Sequence, residues 1–162
     1  MSDLAKLVEA ISSARTSVFR LEARQHYADD PQWQSYERGE AWQRNADLRA
    51  WTEIVSSARA RGVTMQRVHV LTEPWTPYVR FEVEQHYPHN LAAGEDVRLV
   101  RAGRPWSVPD FWLIDDHRGW LMHYEDDGTL GVIVQATDRA LSALRSWRDE
   151  ALAASTPVAT PA

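Results

Sequence analysis

A chain of 162 residues, 44% hydrophobic and 25% charged, is long enough to bury a real core and is expected to form one globular domain. Its net charge of −5 argues against a nonspecific nucleic-acid binder, which needs a basic face. The absence of cysteine excludes a disulfide, a cysteine–zinc site and a thiol nucleophile.

The first ten residues hold no apolar stretch of the kind a secretory signal carries, and no apolar run is long enough to span a bilayer. A cytoplasmic protein with no membrane contact is therefore expected. Eight tryptophans are many for this length, and most are expected in the core.

Leu4, Leu7, Val8 and Ile11 recur at helical spacing, with Ser2 or Asp3 as cap. Ser17–Glu22 alternates, Val18 and Arg20 on one side and Phe19 and Leu21 on the other, and reads as a short strand or an ordered turn. Asp30-Pro31 opens a short helix through Trp33 and Tyr36 that stops at Gly39. Asn45 or Asp47 starts a longer helix to about Arg61, ended by Gly62. Residues 1–62 thus read as mainly helical.

Val63–Leu71 alternates as a strand, with Val68 and Val70 opposite Arg67 and His69. Thr76-Pro77 caps a helix expected to run to Tyr87 and stop at Pro88. A strand Asp96–Arg101 and a turn Ala102–Pro105 follow. Asp110–Asp116 is apolar on both faces up to its aspartates and is expected to be a central, doubly buried strand. Asp115–Gly119 turns the chain into a return strand, where Trp120, Met122 and Tyr124 oppose Leu121 and His123. Asp127-Gly128 marks a hairpin into Leu130–Val134. Thr137 caps a last helix buried through Ala140, Leu141, Leu144, Trp147 and Ala151. The fold class expected is α+β (mixed α/β): a five-stranded mixed sheet in the order β-α-β-β-β-β-α, forming one domain over residues 1–153. The Ser-Thr-Pro-rich tail, 154–162, is expected to be disordered.

The candidate chemistry gathers on a few polar side chains. Asp115, Asp116, Glu125 and Asp126 at strand ends read either as a magnesium or calcium site or as solvated turns. His123, held by Asp115 or Glu125, reads as a general acid–base or as a half-buried structural histidine. Glu82, on an apolar helix side beside Tyr78, needs a partner such as Arg20 or Arg67, giving a structural ion pair or one wall of a ligand pocket. Glu82, His86 and His89 are not expected to bind metal, because His89 lies beyond the expected break at Pro88. No metal and no cofactor are expected.

The pieces Phe19-Arg20-Leu21-Glu22, Tyr78-x-Arg80-Phe81-Glu82, Tyr87-Pro88-x-Asn90, Ala93–Arg98, Phe111–Asp116 and Met122-His123-Tyr124 resemble an actinobacterial family, domain of unknown function 6879. The resemblance implies a regulatory setting beside a helix-turn-helix regulator or a small partner protein. More distantly, the element order is similar to one half of a phospholipase D-like fold. That family's His-x-Lys signature falls here on Val108 or Pro109 and on Asp110 or Phe111, so its catalytic groups are missing.

Two functions are therefore expected in competition. One is a non-catalytic ligand- or protein-binding module with Arg20, Arg80, Glu82, Asp115 and His123 around a pocket, acting with a DNA-binding partner and binding no nucleic acid directly. The other is a phosphodiesterase- or nuclease-like enzyme using His123, Asp115 and Glu82. A homodimer is the default oligomer.

Overall fold

The computed structural model describes residues 1–103 and 106–159. Alternation along the strands sets the architecture. In chain order the elements are α1 (Asp3–Ser12), β1 (Ser17–Glu22), α2 (Pro31–Glu37), a 3₁₀ turn (Trp42–Arg44), α3 (Ala46–Ala60), β2 (Thr64–Thr72), α4 (Pro77–Phe81), a π-helical turn (Glu82–His86), α5 (Tyr87–Ala93), β3 (Asp96–Ala102), β4 (Asp110–Ile114), β5 (Arg118–Tyr124), β6 (Leu130–Gln135), α6 (Asp138–Ala154) and β7 (Thr156–Pro157). The strands form one mixed sheet in the order β6-β5-β4-β1-β2-β3-β7. The pairs β1–β2 and β2–β3 are parallel, and the other neighbours are antiparallel.

The mixed α+β class holds, but among the described residues the sheet has seven strands where five were expected. One added strand is β1, which sits at the middle of the sheet, a place expected for the strand at Asp110–Asp116. Its Arg20 and Glu22 disguise it, since charged residues are rarely buried on a central strand. The other is β7, which corrects the expected disorder after Ala153. Thr156–Pro157 pairs with β3, and the Val158 N–H donates to the Val97 carbonyl. Residues 160–162 of that tail, and Arg104-Pro105 of the expected turn, lie outside the described residues.

The two faces of the sheet differ. Phe19, Leu21, Val68, Val70, Phe111 and Leu113 meet Leu141 and Leu144 of α6. A Cβ on Gly119 would stand 2.5 Å from Leu144 Cδ1, so glycine lets α6 seat there. The other face carries Val18, Met65, Ile114 and Trp120 against α1 and α3. Caps agree with the sequence: Ser2 accepts from Ala5, Asp30 from Gln32 and Trp33, Thr76 from Val79, and Thr137 from Ala140. All eight tryptophans are buried or half-buried.

The helix opened by Thr76 does not stop at Pro88. It passes through the π turn, where the Tyr87 N–H donates to the Glu82 carbonyl, and continues as α5. Pro88 falls in the first turn of α5, a position where proline is tolerated.

Candidate functional site

The face that carries α1 and α3 turns polar toward the C-terminal ends of β1 and β2. Parity puts Arg20 and Glu22 of β1, Arg67 and His69 of β2, Asp110 of β4 and Tyr124 of β5 on that side. All but Arg67 and Tyr124 are at least nine-tenths buried. Open α/β sheets bind ligands at the carboxyl ends of their strands, which is where this patch lies.

The charges are interlocked. Arg67 Nε donates to Glu95 Oε1 at 2.8 Å, and its Nη1 donates to Glu22 Oε1. Arg20 Nη2 reaches Asp110 Oδ2 at 3.4 Å and Tyr124 Oη at 3.1 Å. Tyr27 also donates to Asp110 Oδ2. His69 Nε2 lies 2.6 Å from the Arg24 carbonyl, which receives its proton, while Nδ1 lies 3.0 Å from Glu82 Oε2. Tyr78 and Tyr87 donate to the two oxygens of Glu82, at 2.9 and 3.1 Å.

Burial alone drives the His69 imidazole down, but Glu82 and Glu22 outweigh it and hold it up at about 9. Burial likewise pushes Glu22 up, and Arg67, His69 and Arg20 together hold its carboxyl well below the usual carboxylate range. Burial raises Asp110, and Arg20 opposes it.

A cavity of about 310 Å³ opens on this network. Arg20, Glu22, Arg67, Asn90, Glu82 and His86 supply its polar wall, and Trp51, Tyr78 and Tyr124 its aromatic one. A second, more apolar cavity of about 320 Å³ shares Arg20, Glu22, Trp51, Arg67 and Tyr124 with it. Arg20 Nη1, Glu22 Oε2 and Asn90 Oδ1 are buried and make no hydrogen bond among the described residues.

The family model for Domain of unknown function (DUF6879) matches residues 5–160. The chain belongs to the DUF6879 family. Solved structures with a similar fold include two at low sequence identity. NucT from Helicobacter pylori aligns with a TM-score of 0.55 at 15% identity, over 95% of this chain and 89% of that one. The archaeal chromatin protein TrmBL2 aligns with a TM-score of 0.54 at 10% identity, over 95% of this chain and 50% of that one, so this chain spans about half of it. The NucT likeness is consistent with the phospholipase D-like architecture expected from the element order. No curated protein matches.

Of the five DUF6879 residues expected around one pocket, Arg20 and Glu82 meet at the cavity. The other three do not. Arg80 is exposed and sits 4.0 Å from Glu84 on its own helix. Asp115 lies beyond the far end of β4, where it accepts the N–H groups of Arg15, Thr16 and Ser17. His123 is exposed on the sheet face opposite Tyr124 and makes no side-chain hydrogen bond among the described residues. The combination of His123, Asp115 and Glu82 is therefore not assembled, and His123→Ala is expected to change unfolding free energy by less than about 0.5 kcal/mol in urea titration. The acidic quartet also divides: Asp115 and Asp116 precede the seven-residue strand β5, and Glu125 and Asp126 follow it.

The positions where the phospholipase D-like signature would fall hold other roles. Val108 and Pro109 lie half-buried before β4, and Asp110 is tied to Arg20, Tyr27 and the Ala23 N–H. Glu82 pairs with His69 and two tyrosines, not with Arg20 or Arg67. The members missed by the sequence reading are Glu22, His69, Asn90, Glu95 and Asp110. A signal for one of them existed: His69 alternates with Val68 and Val70 on a buried strand.

Proposed function

We propose that this DUF6879 chain is a non-catalytic regulatory module that binds a small polar ligand and works beside a DNA-binding partner in the cytoplasm. One observation carries the ligand. Arg20 Nη1, Glu22 Oε2 and Asn90 Oδ1 are buried at a cavity wall with no hydrogen-bond partner among the described residues. A buried polar atom left unpaired costs about 1–3 kcal/mol, so three at one cavity favour an occupant that satisfies them. The fitting ligand offers an acceptor to Arg20 and donors to Glu22 and Asn90, as an amide, a zwitterion or a nucleobase edge does. Trp51 and Tyr124 give it flat apolar walls.

The partner is supported by chemistry and by likeness. A net charge of −5 suits a chain that leaves DNA contact to another protein. TrmBL2, described as showing a novel mode of DNA binding, contains a similar fold within a chain about twice as long.

Native mass spectrometry of protein purified without denaturant is expected to show a non-covalent small-molecule adduct. A ligand at about 100 times its Kd is expected to raise stability by about 2.7 kcal/mol. No adduct, and no thermal shift across a panel of amides, zwitterions and nucleosides, would remove this reading.

A further inference from the structure

The cavity wall holds a second group of donors. Asp30, Glu82 and His86 each offer one ligand atom, and these atoms all lie within 4.8 Å of one another. Asp30 is the cap of α2: its Oδ1 takes the N–H groups of Gln32 and Trp33, which leaves Oδ2 facing inward. Glu82 and His86 are the first and last residues of the π turn. Such turns are rare, and often mark functional sites.

The local hydrogen bonding is one proton short. The single Tyr78 hydroxyl faces two acceptors, Asp30 Oδ2 at 2.8 Å and Glu82 Oε1 at 2.9 Å. His86 Nδ1 is buried and has no hydrogen-bond partner among the described residues. One helical turn onward, Asn90 is 1% exposed and its Oδ1 is also unpartnered on the same cavity wall. Behind the group, His69 and Tyr87 hold Glu82 Oε2, the kind of outer support that orients a metal-binding carboxylate.

We propose that Asp30, Glu82 and His86 bind a divalent transition-metal ion at the cavity wall. One imidazole nitrogen with two carboxylate oxygens suits zinc, manganese or ferrous iron better than calcium, which takes oxygen alone. Three protein donors at an open wall leave coordination positions for water or for a cavity ligand. The third donor is Asp30 and not His89, which lies outside the triad although the helix runs through Pro88. The ion's donors, Asp30, Glu82 and His86, are separate from the groups assigned to the organic ligand, so loss of either function can be read apart from the other.

The test is titration of chelator-stripped full-length protein with ZnCl2 and with MnCl2 by calorimetry, with manganese also followed by electron paramagnetic resonance. Saturable uptake of about one ion per chain is expected. His86→Ala is expected to weaken it by about 100-fold or more. Asp30→Ser is expected to do the same while keeping an oxygen to cap α2, so circular dichroism of the metal-free variant should match the parent. His89→Ala is expected to bind like the parent. Absence of saturable uptake of either ion by the parent, or equal loss in His89→Ala and His86→Ala, overturns the proposal.

Discussion

Replacing Arg67 with methionine is expected to lower unfolding free energy by about 3–5 kcal/mol, the largest single loss at the polar patch. Methionine keeps much of the apolar stem, so the change isolates the guanidinium. That group neutralises two buried carboxylates at once, Glu22 and Glu95. Without it both remain buried with too few donors. Arg67 is the largest of the charges holding the Glu22 carboxyl down, so in the variant its folded-state value moves up toward the ordinary one. The penalty is therefore fully present at neutral pH and shrinks as pH falls toward the carboxylate range. Urea unfolding of both proteins at pH 7 and near pH 4.5 measures this. A loss equal at the two pH values would mean that packing, not charge, was removed.

Asp115→Asn is expected to cost about 2 kcal/mol at neutral pH, because a carboxylate accepting several N–H groups is replaced by an amide. Asp115 has φ 52°, and asparagine tolerates the left-handed region, so the backbone is not strained by the swap. In the parent, burial pushes Asp115 up, but the N–H groups of Thr16, Ser17 and Arg15 hold it down at about 2. The ordinary value is 3.8. A depressed folded-state value gives stability that is complete above the ordinary one and lost as pH falls toward 2. The parent should therefore lose roughly 2 kcal/mol across that window that the variant does not, and the two curves should converge in acid. Parallel curves would show that Asp115 acts through shape alone.

Helices and outer strands were legible because their signals are local. Thr76-Pro77, Asp30-Pro31 and Thr137-Asp138 announce helix starts by cap chemistry, and the structure keeps each. The centre of the sheet was harder to read. A strand bearing Arg20 and Glu22 violates the rule that middle strands are apolar, and its charges are tolerated only because Arg67 and Asp110 arrive from distant segments. The π turn was missed because Pro88 is a stop signal unless it falls in a first turn. Half of the candidate site was visible in the same way. Glu82 on an apolar helix side was a sound clue, but its partner, His69, comes from β2 and not from the arginines that charge alone suggests. For His123 the alternation with Tyr124 was correct. Which of the two sides carried the polar patch depended on the packing of other elements.

The middle position of β1 also bears on how the protein is made. Leu21 must pair with Val68 on one side and with Phe111, much further along the chain, on the other. One edge of β1 therefore lacks its partner until β4 is made, a long-range pairing that slows folding.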